Sequence, residues 1–129
     1  MKRVKLQLGL FSFGFAAYSL IELAWRRYTH YSMGLAGGIC FLLLYHIYKR
    51  RPSLSLFKKC LIGSAVITAV EFCFGCILNL KLNLGIWDYS ELPFNILGQI
   101  CPLFSFIWML LCIPICFLSR RISKLEKRI

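Results

Sequence analysis

Long apolar runs alternate with short polar passages along this chain, and the lengths of the runs decide what they are. The first run covers residues 6–25, the second 32–48, the third 60–80 and the fourth 96–118. Each is close to the ~17 to 25 residues that an α-helix needs to cross a hydrocarbon core about 30 Å thick. The pattern predicts an all-α membrane protein with four transmembrane helices in a single transmembrane domain. Gly34, Gly37 and Gly38, near the start of the second run, allow a close helix crossing. Pro102 and Pro114 predict kinks in the fourth, tolerable where neighbours satisfy the freed carbonyls.

The third run carries a polar stripe. Ser64, Thr68, Glu71, Gly75 and Asn79 recur at helical spacing and fall on one face. Asn95, Gly98, Pro102 and Ser105 predict a comparable stripe on the fourth helix. Counted from Lys59, Glu71 stands about 18 Å along a helix rising 1.5 Å per residue, just past the middle of the core. A charge at that depth is costly unless paired, protonated or wetted, so Glu71 is expected to face the bundle interior or a cavity.

Composition agrees: 59% of residues are hydrophobic and the mean hydropathy is +0.69, far above a soluble domain. A net charge of +11 would suggest nucleic acid in a soluble chain, but the basic blocks sit between apolar runs where no duplex reaches. They sort instead by side of a membrane. Three Lys and Arg precede the first run, five separate the second from the third and five follow the fourth, against two and one in the other connections. The positive-inside rule therefore predicts N and C termini in the cytoplasm, together with the 49–59 loop and a basic tail at 119–129, all facing anionic headgroups. The polar, aromatic passage from Trp87 to Gln99 then becomes an outer loop between helices three and four. Lys2, Arg3 and Lys5 before the first run give the order of a signal peptide, but no clear small-x-small cleavage site follows, so the run is read as a span.

Candidate chemistry is sparse. Of seven cysteines most lie inside apolar runs, which implies no disulfide framework, and Cys73-x-x-Cys76 offers only two metal ligands. His30 and His46 fall on opposite sides. There is no G-x-x-x-x-G-K phosphate loop and no locally supported Ser-His-Asp set, so no catalytic residue, metal or cofactor is assigned. Glu22 and Arg26 stand four apart with the acid first, the favourable order for an intrahelical pair. They read either as an ion pair at a helix end or as part of a recess gripping substrate. Glu71 reads as a site for a cation, a proton or a substrate amine, or as a packing residue bonded to Arg26, Asn95 or Gln99. Trp87, Asp88, Asn95 and Gln99 read as the rim of the same recess, or as an interfacial loop of the kind where Trp and Tyr collect. The substrate-binding candidates are therefore Glu22, Arg26, Glu71, Trp87, Asp88, Asn95 and Gln99. Glu22, Glu71, Asp88 and Glu91 against Arg26, Arg27 and Lys81 leave that recess close to neutral.

On Glu22-Leu-Ala-Trp25-Arg26, Thr29-His30-Tyr31-Ser32-Met33-Gly34, Glu71, Trp87-Asp88-Tyr89-Ser90 and Asn95-Ile-Leu-Gly98-Gln99-Ile-Cys101, the sequence resembles the CmpB-like ABC-transporter type IV permeases. The resemblance covers most of the chain. It implies a small multispanning protein of the bacterial inner (plasma) membrane, of transporter type, and brings no substrate with it. Tyr31 stands where the family often has tryptophan and Pro102 where leucine is usual; both are apolar or aromatic positions, so the polar set is unaffected. The expected function is a membrane transporter component with an outward-facing polar recess, acting as an oligomer or with a separate ATPase docked at the 49–59 loop. The alternative is a non-transporting membrane subunit or sensor whose polar cluster only fixes the bundle. A third reading is an intramembrane enzyme acting on lipid or envelope precursors.

Overall fold

A computed structural model describes residues 2–27 and 30–128, without the side chains at positions 2, 25, 26 and 128. Four helices follow in order: α1 (Lys2–Arg26), α2 (Tyr31–Arg50), α3 (Leu56–Gly75) and α4 (Pro102–Arg128), with α3 continuing into a π-helical segment, Cys76–Lys81. All four are long and apolar enough to cross a membrane. The described residues hold no strand, and a single isolated bridge joins Ile96 to Ile100.

Local chemistry sets the helix ends. Arg27 adopts φ 59° and its N–H donates to the Leu23 carbonyl at 2.9 Å, the left-handed residue that closes α1. His30 opens α2: Nδ1 accepts from the Ser32 N–H at 3.2 Å and lies 2.6 Å from the Ser32 hydroxyl, so an imidazole does the work usually given to Ser or Asp. Ser55 opens α3 by accepting from the Lys58 N–H at 3.3 Å.

Helix α4 departs from the pattern at both ends. It starts at Pro102, not at 96, because proline drives the preceding residue out of the α region while fitting well at the first helical position. Leu97 and Gly98 moreover take φ 53° and 73°, which no right-handed helix contains. Asn95 and Gly98 therefore do not extend a stripe on α4, and Pro102 starts the helix where a kink was expected. At the other end the helix runs on through Pro114 and through the basic tail to Arg128. The tail is anchored there, since Glu126 accepts from the Tyr45 hydroxyl and pairs with Lys49 Nζ at 2.5 Å.

The chain divides into two compact units, Met1–Leu43 and Leu44–Ile129. In the first, α1 crosses α2 on glycines: a Cβ added at Gly14 would stand 2.8 Å from the Gly37 carbonyl oxygen and 3.0 Å from Gly38 Cα. Phe11 covers Gly38, Phe15 covers Gly34, and the Phe13 and Phe41 rings meet at 5.2 Å. In the second, α3 lies along α4. The Ser64 hydroxyl donates to the Ser105 carbonyl at 2.6 Å, Thr68 and Ser105 share a hydroxyl bond of 2.8 Å, and the Tyr48 hydroxyl donates to the Lys59 carbonyl at 2.8 Å.

Candidate functional site

The polar stripe of α3 becomes a line of hydrogen bonds that ends under the loop joining it to α4. Two turns along the helix from Ser64, Glu71 is buried. Its Oε2 accepts from the Tyr89 hydroxyl at 2.8 Å and its Oε1 from Trp108 Nε1 at 3.2 Å. Tyr89 comes from the loop and Trp108 from α4, so one carboxylate ties three parts of the chain together. Phe104 completes the aromatic wall, stacked on Tyr89 at 4.6 Å with the planes 8° apart and tilted against Trp108 at 6.1 Å. Such stacking fixes the ring that carries the hydroxyl.

One turn further, Gly75 lets the loop sit directly on the helix. A Cβ there would lie 2.6 Å from Gln99 Oε1 and 3.0 Å from Trp87 Cζ2. Trp87 Nε1 donates to the Gln99 carbonyl at 3.0 Å, and both residues are buried. The Gln99 amide is engaged at both ends: Oε1 accepts from Asn79 Nδ2 at 2.8 Å and Nε2 donates to the Leu97 carbonyl at 3.0 Å. Asn79 turns its own oxygen to the Ile86 N–H at 2.7 Å. It does so from the π-helical segment, where the Leu82 N–H donates to the Ile77 carbonyl at 3.0 Å, a wider turn of a kind that often marks functional sites.

Of the residues proposed from sequence, Glu71 thus ties α3 to the loop through Tyr89, and Trp87 and Gln99 pack on α3 one turn further along. Asp88 and Asn95 serve the loop itself. Asp88 is exposed, and its Oδ1 accepts from the Ser90 N–H at 2.9 Å; donors from Ser90 hold the carboxyl below the usual aspartate range. Asn95 donates to the Ser90 and Leu92 carbonyls at 3.1 and 2.9 Å and accepts from the Gly98 N–H at 2.9 Å, the local bonding that makes Asn a turn residue. Glu22 is buried in the other unit, where the Tyr18 hydroxyl one turn below donates to it at 2.8 Å. The Arg26 side chain lies outside the described residues.

Tyr89 and Trp108 are absent from the sequence candidates. Trp108 carried a readable signal, since an indole well inside a span needs an acceptor for its N–H, and it stands three residues from Ser105 on the same face. Tyr89 carried none, because the loop alone decides which ring turns inward. Among the described residues no cluster of three or more His, Cys, Asp and Glu gathers that could hold a metal ion. Chemically, the site offers a carboxylate that accepts from a phenol and an indole inside an apolar span, able to hold a proton or a cation and to exchange a hydrogen bond with the phenol.

No curated protein and no solved structure matches this sequence. A family model described as "Putative ABC-transporter type IV" matches residues 13–129, which takes in the second half of α1, the other three helices and the whole site. By that match over nearly its full length, the chain belongs to this ABC-transporter type IV family of membrane proteins.

Proposed function

We propose that this protein is the membrane-spanning component of a transporter and that Glu71 is the centre of its ligand-binding or ion-binding recess. The observation that carries the proposal is the carboxylate itself: Glu71 is buried within a span, and an ionisable group there is a functional site by default. Its tie to Tyr89 gives the loop a way to respond to the site, because a proton or cation arriving at Oε2 competes with the phenolic donor. In this reading Trp87 and Gln99 hold the loop over α3, and Asp88 and Asn95 shape its rim.

The positive-inside count supports cytoplasmic termini and a recess that opens outward. The chain contains no nucleotide-binding loop, so coupling to ATP falls to a separate ATPase at the 49–59 loop, or transport falls to an oligomer working on an ion gradient. The family supports a transport role in preference to catalysis.

The test is Glu71→Gln in cells and in vesicles. Loss of uptake or of ligand binding, with folding retained, is the expected outcome. The hydrogen bonds from Tyr89 and Trp108 to Glu71 also favour a second reading, a non-transporting subunit in which the cluster only fixes the bundle. That reading predicts lower stability with ligand response untouched, and full activity in the Gln variant removes the recess altogether.

A further inference from the structure

The loop between α3 and α4 turns three large apolar side chains outward: Phe94 is 87% exposed, Leu97 65% and Ile96 53%. Phe94 and Leu97 do so from left-handed backbone, at φ 57° and 53°, a conformation that L side chains rarely adopt. Backbone held there is over-determined by its surroundings and tends to mark functional positions. The surroundings are plain here. Asn95, between the two, makes three hydrogen bonds inward to Ser90, Leu92 and Gly98. The Tyr89 N–H donates to the Gly98 carbonyl, the Gln99 N–H to the Ile96 carbonyl and the Ile96 N–H to the Ile100 carbonyl.

We propose that this hairpin, residues 92–98, is a membrane anchor that inserts Phe94, Ile96 and Leu97 at the boundary between headgroups and acyl chains. Three features point to lipid. Backbone enters a low-dielectric region more readily where its polar groups are bonded within the protein, and here the Ile96 N–H and the Leu92, Ile96, Leu97 and Gly98 carbonyls are so bonded. Chain connectivity places it at the membrane surface, since Ile100 stands two residues before Pro102 begins a helix able to span. Leu103 and Phe106 in the first turns of α4 are exposed as well, the kind of apolar surface a spanning helix gives to lipid. Asp88, Ser90 and Glu91 are exposed on the other limb of the loop, which leaves a polar side for headgroups and water.

The experiment places the photoreactive p-benzoylphenylalanine at Phe94 in the full-length protein, reconstituted in phosphatidylcholine and phosphatidylglycerol vesicles. On irradiation, lipid adducts detected by mass spectrometry should form at about the level given by the same group at Leu110, and several-fold above that at Glu91. Adducts at the Glu91 level, or a crosslink to a second copy in place of lipid, overturn the proposal. If the substituted position 94 disturbs folding by circular dichroism, the same probe at Leu97 reads the same surface and decides by the same criteria.

Discussion

Between α1 and α2 the contact is made of backbone, with Gly14 and Gly37 so close that a single added methyl would meet a carbonyl oxygen. Between α3 and α4 it is made of side-chain hydrogen bonds, from Ser64 and Thr68 on Ser105 to Glu71 on Trp108. Lipid tails are as apolar as leucine, so neither pair associates by hiding hydrocarbon; one relies on dispersion at short range and the other on polar groups that have few other partners. The difference matters for function. Glycine contact specifies proximity and asks nothing of the atoms chemically. A hydroxyl or carboxylate in an apolar span specifies register and brings a reactive group with it. Ser64 and Thr68 would suffice to set the register of α3 on α4. Glu71 exceeds that need, and this is why the site is proposed there.

The comparison can be broken most sharply at Glu71. In Glu71→Ala the Tyr89 hydroxyl and the Trp108 N–H lose this acceptor, and at ~1–3 kcal/mol for each bond removed the loss of stability should be on the order of 3 kcal/mol. Denaturant titration in mixed micelles measures it. A loss near zero would mean that the α3–α4 pair is held by packing like the first pair.

Next in size is the glycine crossing. Gly37→Ala should destabilise by about 1–3 kcal/mol, because its Cβ would lie 3.0 Å from the Gly14 carbonyl and close against Tyr18, so the helices must separate. Gly9→Ala is the internal control, since nothing lies within 4 Å of its Cβ and the substitution favours helix. Equal effects from the two would show that α1 and α2 do not depend on this contact. A smaller change is expected from Thr68→Val, about 0.6 kcal/mol, the average for an interhelical hydrogen bond in a membrane.

The smallest effect concerns pH. The folded loop holds Asp88 below its ordinary pKa, so the charged form contributes stability that is present above the unfolded value and is lost as pH falls through the lowered one. The protection of the Ser90 amide, its exchange rate relative to the intrinsic rate at the same pH, should therefore be high at neutral pH and fall in acid. In Asp88→Asn that acid step should vanish. If it persists, another group titrates the turn.

How much of this was open to reading along the chain differs between the two pairs. Four spans, their approximate limits and the crossing at Gly34, Gly37 and Gly38 follow from local quantities: run length, residue size and helical spacing. The stripe from Ser64 to Asn79 is legible for the same reason, because a helix maps sequence spacing directly onto a face. Even the start of α4 was available, since Pro102 limits the residue before it. Reading 96–118 as one helix gave apolar character more weight than that local rule.

The loop from Leu82 to Cys101 has no such map. Asp88, Asn95 and Gln99 look alike as polar candidates, yet Asp88 closes its own turn, Asn95 ties the hairpin and Gln99 docks on Gly75. Which of them docks on α3 depends on left-handed turns at Phe94, Leu97 and Gly98 and on bonds between residues far apart in sequence. What the sequence by itself determined is that a carboxylate is carried into the membrane on a polar helix face. That Tyr89 and Trp108 are the groups that receive it was decided only by tertiary structure, because a hydrogen bond requires atoms to meet in space and spacing predicts meetings only within one helix.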